Sequence, residues 1–425
     1  MVVPLLFAVL TDVASFGANP AQLTMKKYVP ANVPAGPRPL VVALHGCTQT
    51  AEAYENAGWD QLADQWGFYV VYPGQNTSKN NSSGCFNWGG RWKSAPQAFV
   101  LSPEALTDDD TENQSIKQMV DKMKADHQID ASRIFITGLS AGGAMTALML
   151  AKNPDMFAAG AIFAGVPYGC ATDKKNTSEA AACLKDYSGA NAYLSRSPKA
   201  WGDLVRSAAP SFKGSWPRVQ VWHGTADFVV DDANQNELVK QWTDVHGASQ
   251  TPAVTDQVEG YPHAQYKDGS GKVVVETFSI TGKSHGTEIA ASKPIDPANA
   301  NGAKCGKPGS YIIEAGICST YHAARFFGLD PAAPGPGNQN PNPGSSSGGD
   351  SDGDSEDPDR PGGGTSSGGR NSGAGGGADD RRYEATCSSV DASSSSSSGT
   401  GFAVIAVAIA AIWAKRRPAR PRARG

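Results

Sequence analysis

The residues best suited to chemistry lie where an apolar stretch runs into a serine flanked by glycines, at Gly138, Ser140 and Gly142. Residues 133–137 are typical of a strand, and the small residues after Ser140 are typical of a helix. A sharp turn from strand to helix needs glycine beside the serine, and it leaves the hydroxyl standing clear of the sheet. Ser140 is therefore the candidate nucleophile, in a position typical of attack on an acyl carbon.

The pattern Gly-x-Ser-x-Gly also occurs at residues 282–286, 344–348 and 364–368. The last two lie in Gly/Ser-rich sequence with no strand or helix pattern, so composition explains them. The first follows a strand-like run, but too little chain follows it to supply two catalytic partners. Only Ser140 has a strand before it, a helix after it and candidate partners downstream. The alternative is a glycine-rich turn with an idle serine.

The carboxylate and the imidazole that would activate Ser140 are expected downstream of it. A serine hydroxyl is a weak nucleophile at neutral pH, so it needs an imidazole to take its proton and a carboxylate to orient that ring. In α/β-hydrolases the order along the chain is nucleophile, acid, histidine. Asp227 is the candidate acid because it lies in a tight turn directly after the predicted buried strand of residues 218–222. Asp231 and Asp232 are better placed to cap the next helix.

One histidine fits the position of the catalytic base. The histidines after Ser140 are His223, His246, His263, His285 and His322. His285 lies in a glycine-flanked loop after the final strand, as the chain order requires. His223 is expected to support a strand end and His246 to end a helix. His263 is expected in the hairpin and His322 in a helix.

Two backbone N–H groups are candidates to bind an oxyanion. Ala141 follows the nucleophile directly. The second donor is expected in the loop after His45 and Gly46, most simply from Cys47, because this loop follows the apolar strand of residues 38–44. A bond between Cys47 and Cys85 would hold that donor in place.

Six cysteines fall in the chain as three close pairs, Cys47 and Cys85, Cys170 and Cys183, Cys305 and Cys318. An even count without Cys-x-x-Cys spacing favours disulfides over a zinc site, and disulfides favour an exported protein. Sequence order does not establish the connectivity, and buried reduced thiols are the alternative. The seventh, Cys387, lies far downstream.

Strand-like and helix-like segments alternate through the first three quarters of the chain. Strand patterns occupy residues 38–44, 68–72, 133–137, 157–164 and 218–222, and a hairpin pattern occupies 254–280. Helical spacing occupies residues 51–66 and the region around 116–123. This alternation predicts an α/β fold with a mostly parallel central sheet and helices on both faces.

Composition divides the chain into four parts. Residues 1–11 resemble a truncated export signal, with a first strand as the alternative. Residues 12–330 suit one large catalytic domain. Residues 331–400 are dominated by Gly, Ser, Pro and Asp, so we expect a disordered linker there. Residues 401–425 combine an apolar segment too short for a comfortable bilayer span with a basic cluster, which indicates a sorting or anchor tail and transient membrane contact.

The charge pattern argues against a nucleic-acid partner, and the absence of ligand motifs argues against a metal. The net charge of −4 includes six basic residues within the last eleven positions, so the body of the chain is acidic. A nucleic-acid partner is not expected, because phosphate binding needs clustered Lys and Arg on the folded surface. No metal-ligand motif such as His-Glu-x-x-His occurs, so no metal and no other cofactor is expected.

Five segments together resemble the extracellular poly(3-hydroxybutyrate) depolymerase family of esterases, whose relatives include feruloyl and acetylxylan esterases. The segments are residues 44–49, 84–88, 138–145, 163–168 and 222–227. The resemblance implies Ser140 as nucleophile, Asp227 as acid, His285 as base, Cys47 and Ala141 as oxyanion donors, and Trp88 as a substrate-contacting aromatic residue. The tail, with Cys387, an apolar segment and an arginine cluster, resembles myxobacterial-type C-terminal sorting signals.

The resemblance implies a secreted or cell-surface serine esterase that acts on hydroxyalkanoate esters. A feruloyl or acetylxylan esterase acting on plant polysaccharide is an alternative within the same chemistry. No polymer-binding domain is recognisable after residue 330. This departure from the polymer depolymerases concerns the identity of the substrate as a polymer, and not the serine chemistry. An alternative of a different class is a non-catalytic surface binding protein that kept the fold.

Overall fold

Six parallel strands form the centre of a ten-stranded sheet in the computed structural model, in the order β4-β3-β5-β6-β7-β10. The structure describes residues 8–31, 33–79, 83–88, 111–171, 183–184 and 195–332. The strands are β1 (Leu10–Asp12), β2 (Thr24–Tyr28), β3 (Arg38–Leu44), β4 (Tyr69–Gly74), β5 (Ile129–Leu139), β6 (Ala159–Phe163), β7 (Arg218–Gly224), β8 (Val254–Val258), β9 (Tyr261–Lys267) and β10 (Val273–Ile280). Strands β1 and β2 add to one edge and β9 and β8 to the other, all antiparallel.

Helices cover both faces of this sheet because its central strands are apolar on both sides. The helices of the described residues are α1 (Ala51–Tyr54), α2 (Trp59–Trp66), α3 (Thr111–Asp126), α4 (Ala141–Lys152), α5 (Pro198–Ala208), α6 (Ala233–His246) and α7 (Ser319–Phe327). Val41 and Ala43 of β3 pack in one core with α2 and α7, whereas Leu40 and Val42 pack in a second core with α3, α4 and α6. Successive residues of a strand point to opposite faces, so β3 contributes to both cores.

A smaller sheet follows the last strand of the large one. It consists of β11 (Thr287–Pro294) between β12 (Lys304–Cys305) and β13 (Ile312–Glu314). The amide of Thr287 donates to the carbonyl of Tyr311 at 2.9 Å, which fixes the start of β11 against the residues before β13. The loop between β10 and β11, which contains His285, is thereby held at both ends.

The sequence prediction of an α/β fold with a mostly parallel sheet is confirmed, and the predicted strands and helices match observed elements to within a few residues. Strand β1 includes the last two residues of the predicted export segment, while residues 1–7 lie outside the described part. The predicted linker and tail, including Cys387, also lie outside it, apart from the first residues after 330. Within the described ranges, no helix has the length and apolar character needed to cross a bilayer.

A histidine between two carboxylates stabilises the antiparallel edge of the large sheet. His263 of β9 is buried, with Nδ1 2.6 Å from Asp256 Oδ1 of β8 and Nε2 3.0 Å from Glu276 Oε1 of β10. A carboxylate oxygen only accepts, so both ring nitrogens carry hydrogen and the ring is a cation. Gln220 and Gln265 donate to the same Glu276 carboxylate. The cation therefore links three strands.

We expect this edge to lose stability as the pH rises. Burial by itself would lower the pKa of His263, but the hydrogen bonds and charges of Glu276 and Asp256 outweigh burial and raise it. Stabilisation is then complete below the ordinary histidine pKa of about 6.5 and is lost as the pH passes through the higher folded-state value. Urea unfolding at a series of pH values between about 6 and 9 should show this decline.

The variant His263→Ala identifies the group responsible. It leaves the buried Glu276 carboxylate without its cation and is expected to cost about 3 kcal/mol of unfolding free energy at neutral pH. It should also remove the pH dependence assigned to His263. A variant with the wild-type slope across this range would show that another group titrates.

Candidate active site

Ser140 occupies a strained turn between β5 and α4. Its φ of 58° and ψ of −118° lie outside the regions that residues with a Cβ ordinarily adopt. Its amide donates to the carbonyl of Phe163 at 2.9 Å, and its carbonyl accepts from the amide of Ala144 at 2.8 Å. These bonds hold the strained conformation, which is the one that exposes the hydroxyl of a nucleophile elbow.

The two glycines beside the serine let α4 approach the sheet closely. A Cβ on Gly138 would lie 2.4 Å from the carbonyl oxygen of Gly142, and a Cβ on Gly142 would lie 2.5 Å from the carbonyl oxygens of Leu44 and His45. Real Cβ atoms do not approach backbone so closely, so neither position accepts a side chain without displacing the turn. The same packing brings the end of β3 beside Ser140, because a Cβ on Gly46 would lie 3.4 Å from the Cβ of Ser140.

Asp227 follows β7 and its carboxylate is fully buried. Oδ1 accepts from the amides of Val229 at 2.8 Å and Val230 at 2.9 Å, and Oδ2 accepts from Nδ1 of His285 at 2.7 Å. Burial by itself would raise the pKa of Asp227, but the hydrogen bonds from His223 and His285 outweigh it and hold the pKa below the ordinary range. The carboxylate is therefore ionised at neutral pH and oriented on the imidazole.

His285 is brought to Asp227 by contacts between the loops that follow β7 and β10. The amide of Ala226 donates to the carbonyl of Lys283 at 2.9 Å, and a Cβ on Gly224 would lie 2.3 Å from that same carbonyl oxygen. Because Nδ1 donates to Asp227, Nε2 is the ring nitrogen left to take a proton from a nucleophile. Nε2 and the Ser140 hydroxyl are not hydrogen-bonded to each other or to any other described residue. Such bonds commonly form only once substrate is bound.

The two predicted oxyanion donors both lie close to the serine, one next to it in the chain and one just after the end of the neighbouring strand β3. Ala141 is the first residue of α4, and Cys47 follows the end of β3. Neither amide has an acceptor among residues of the described ranges. Both N–H groups are thus available to a developing negative charge, as an oxyanion hole requires.

All three cysteine pairs are disulfides in the structure: Cys47 with Cys85, Cys170 with Cys183 and Cys305 with Cys318. The first joins the residue of a predicted oxyanion donor to the segment that carries Trp88. The amide of Thr48 donates to the carbonyl of Ser83 at 2.9 Å and adds a second link between the two segments. This disulfide therefore anchors the loop beside Ser140.

Removal of the Cys47–Cys85 disulfide is expected to lower both stability and turnover. The sequence separation of 38 residues corresponds to about 4 kcal/mol in the chain-entropy model. The variant Cys47→Ser/Cys85→Ser keeps the backbone amide but frees its loop, so kcat should fall by about 10- to 100-fold. The measurements are thermal unfolding and steady-state kinetics on a soluble ester.

The pair Cys305 and Cys318 supplies the matched control. Its sequence separation is 13 residues, worth about 3 kcal/mol in the same model. The variant Cys305→Ser/Cys318→Ser should lose stability while its folded fraction keeps most of the wild-type kcat, because the hydrogen bonds from Gln49 to Ser310 and from Thr287 to Tyr311 still hold the loop that this disulfide closes. Equal losses of kcat in both double variants would show that the first disulfide acts only through stability.

Two buried side chains near Asp227 were not singled out as site residues by the sequence. His223 Nε2 lies 3.0 Å from the carbonyl oxygen of Val230 and 3.4 Å from Asp227 Oδ2, so it carries hydrogen and faces the acid. Glu288 lies in β11, where burial chiefly and the charge of Asp227 further raise its pKa to about 8. The sequence signal for His223 was its place four residues before Asp227, whereas Glu288 gave none.

Trp88, the predicted substrate contact, is half-buried. It packs against a cluster that contains Ala144 and Val166, and Ala144 lies one helical turn after Ser140. Its ring is thus placed near the nucleophile and also contributes to packing. In the described part of the chain no group of three or more His, Cys, Asp or Glu side chains is arranged to hold a metal ion.

Comparison with known proteins agrees with this geometry. The family model described as Esterase PHB depolymerase matches residues 23–257. The chain is 47% identical over 320 residues to the poly(3-hydroxyalkanoate) depolymerase C of Paucimonas lemoignei, which covers 75% of this chain and 70% of that protein. It is 39% identical over 296 residues to the acetylxylan esterase of Coprinopsis cinerea, which covers 66% of this chain and 71% of that protein.

A feruloyl esterase B and a solved structure extend the comparison. The feruloyl esterase B of Talaromyces stipitatus is 33% identical over 296 residues, which cover 69% of this chain and 76% of that protein. The acetyl xylan esterase from Aspergillus awamori superposes with a TM-score of 0.54 at 29% identity, over 65% of this chain and 94% of that one. The fold around Ser140 is thus also that of a solved esterase.

Proposed function

The chain belongs to the esterase PHB depolymerase family, a family of carboxylic ester hydrolases, and from that membership we propose that it is a secreted or cell-surface serine esterase cleaving short-chain hydroxyalkanoate esters. The observation that carries the mechanism is the buried Asp227–His285 pair at the sheet edge where Ser140 also lies. No cofactor is required for this chemistry.

In the proposed mechanism Ser140 Oγ attacks the ester carbonyl carbon while His285 Nε2 takes the hydroxyl proton. The carbonyl oxygen becomes an oxyanion, which the N–H groups of Ala141 and Cys47 stabilise. Collapse breaks the bond to the alcohol oxygen, which receives the proton from His285, and an acyl-enzyme remains. Water, deprotonated by His285, then attacks the acyl carbon. The bond from the acyl carbon to Oγ breaks, His285 returns its proton to Oγ, and the acid and free Ser140 are released.

Asp227 supports each of these proton transfers. Its carboxylate fixes the His285 ring with Nδ1 protonated, so Nε2 is free to accept. It also stabilises the imidazolium that forms when His285 takes the proton. Because the pKa of Asp227 is held low, the carboxylate itself stays ionised throughout.

The relatives support two substrate classes. The poly(3-hydroxyalkanoate) depolymerase shares the highest of the identities given above, which favours a hydroxyacid ester. The acetylxylan and feruloyl esterases favour an ester on plant polysaccharide as the second candidate, and the Trp88 ring could stack on a sugar or a phenol. The three disulfides support an oxidising location outside the cytosol. Membrane contact through residues 401–425 rests on sequence alone.

A substrate panel tests the proposal. We expect kcat/KM for a soluble hydroxybutyrate trimer to exceed that for methyl ferulate and for acetylated xylan by about tenfold or more, with short p-nitrophenyl esters also hydrolysed. Crystalline polyester should be attacked more slowly than amorphous polyester. Efficient turnover of the plant esters with none of the trimer would contradict the hydroxyalkanoate assignment and leave the serine mechanism standing.

A fluorophosphonate probe separates an esterase from a non-catalytic binding protein on the same fold. The probe labels only an activated serine, so stoichiometric labelling of Ser140 is expected. No labelling of the folded protein, together with no hydrolysis of any ester in the panel, would contradict the proposed enzyme activity.

A further inference from the structure

Gly46, which precedes the predicted oxyanion donor Cys47, is held at both its amide and its carbonyl by side chains that no part of the proposed mechanism uses. The Gly46 amide donates to Gln49 Oε1 at 2.7 Å, and the Gly46 carbonyl accepts from His45 Nδ1 at 2.7 Å. The Gly46 carbonyl shares a peptide unit with the N–H of Cys47, the predicted oxyanion donor, whereas the Gly46 amide lies in the peptide unit before it. Because a peptide is planar and trans, the His45 contact with the carbonyl fixes the direction in which the Cys47 N–H points. The Gln49 contact fixes the preceding peptide unit, and with it the position of the Gly46 residue from which that N–H extends.

The hydrogen bonds of His45 show which of its ring nitrogens donates and which accepts. His45 Nε2 lies 3.1 Å from the amide nitrogen of Gln75, so Nε2 accepts and Nδ1 carries the hydrogen that Gly46 receives. His45 is fully buried, and burial lowers its pKa to about 4. The ring is therefore neutral at working pH and holds one tautomer.

Gln49 extends the contact to the other side of the site. Its amide nitrogen donates to the carbonyl of Ser310 at 2.6 Å, across 261 positions of sequence, and the residue is only 4% exposed. The next residue, Tyr311, packs its ring edge-on against the His285 ring at a centroid distance of 5.7 Å. One amide thus joins the loop of an oxyanion donor to the segment that contacts the base.

We propose that Gln49 is a positioning residue that fixes the position of the Cys47 N–H relative to the base His285. The oxyanion hole and the proton acceptor are then correctly placed with respect to each other before substrate binds. This inference rests on the proposed function. Its consequence is specific to the transition state, since the oxyanion exists only there. A purely structural Gln49 would stabilise the fold and leave turnover by folded protein unchanged.

Two substitutions of Gln49 distinguish the contributions of the two hydrogen bonds that its side-chain amide makes. Gln49→Ala removes both hydrogen bonds. Gln49→Glu keeps an acceptor for the Gly46 amide but cannot donate to the Ser310 carbonyl. Gln235→Ala is the matched control, because Gln235 is also buried and joins Phe278 and Ser279 through its two amide atoms. All three proteins are assayed as the full chain, with thermal unfolding measured beside the kinetics.

The readouts are kcat and KM on a soluble hydroxybutyrate ester and the Ki of a trifluoromethyl ketone, which adds to the serine and presents an oxyanion. For Gln49→Ala we expect kcat to fall by about 10- to 100-fold, KM to change little and Ki to rise by a similar factor. Gln49→Glu should fall between this variant and wild type. Gln235→Ala should lose stability while keeping kcat and Ki.

The proposal is overturned if folded Gln49→Ala or Gln49→Glu keeps kcat and Ki within twofold of wild type, or if Gln235→Ala shows the same losses. If Gln49→Ala does not fold, Gln49→Glu decides alone, because it preserves size and one hydrogen bond. These outcomes differ from failure of the proposed function, in which the wild-type protein hydrolyses no ester or Ser140→Ala hydrolyses as fast as wild type.

Discussion

Ser140→Ala is expected to reduce kcat for ester hydrolysis by about a millionfold while the protein stays folded. Without the hydroxyl no acyl-enzyme can form, and triad residues act as a unit, so loss of one removes most of the benefit of the others. The substitution removes one oxygen from a partly exposed side chain and leaves no cavity. Circular dichroism and thermal unfolding should match wild type, and fluorophosphonate labelling should be absent.

The chain carries its own control for this experiment. Ser284 lies in another Gly-x-Ser-x-Gly match, at residues 282–286, but in a loop between strands with no helix after it. Ser284→Ala should therefore keep wild-type activity and fluorophosphonate labelling. If Ser140→Ala retained activity within tenfold of wild type, or if Ser284→Ala lost it, Ser140 would not be the nucleophile.

The positions of the main candidate residues could be predicted because each follows a recognisable strand. Ser140 follows β5, Asp227 follows β7 and Cys47 follows β3, and parallel strands bring their carboxyl ends to one edge of a sheet. Chain order then separated His285 from four other histidines. Family membership, predicted from five short segments, is confirmed by a family model that spans more than half the chain.

The contacts that hold these residues could not be predicted, because they join distant parts of the chain through side chains with no periodic signal. Gln49 meets the carbonyl of Ser310, and nothing in the sequence near either residue indicates the other. Glu288 likewise reads as an ordinary strand residue, yet the fold buries its carboxyl near Asp227. Tertiary packing determines such contacts, and only coordinates reveal them.

Asp227→Asn is expected to lower kcat by about four orders of magnitude with little change in the surrounding structure. The asparagine oxygen can still accept from the amides of Val229 and Val230, so the loop keeps its anchors. Its NH2 group, however, would face Nδ1 of His285, which must then become an acceptor. The hydrogen moves to Nε2, and the imidazole can no longer take the proton of Ser140.

Asp231→Asn is the control that tests this assignment of the acid. Asp231 lies four residues further along, where Oδ1 accepts from the amide of Ala233 at 3.0 Å at the start of α6. An asparagine oxygen accepts the same bond, so neither stability nor kcat should change appreciably. The comparison uses steady-state kinetics on one soluble ester with both variants folded to the same extent. If Asp231→Asn lost the activity and Asp227→Asn kept it, the acid would be Asp231, and the buried contact between Asp227 and His285 would have only a structural role.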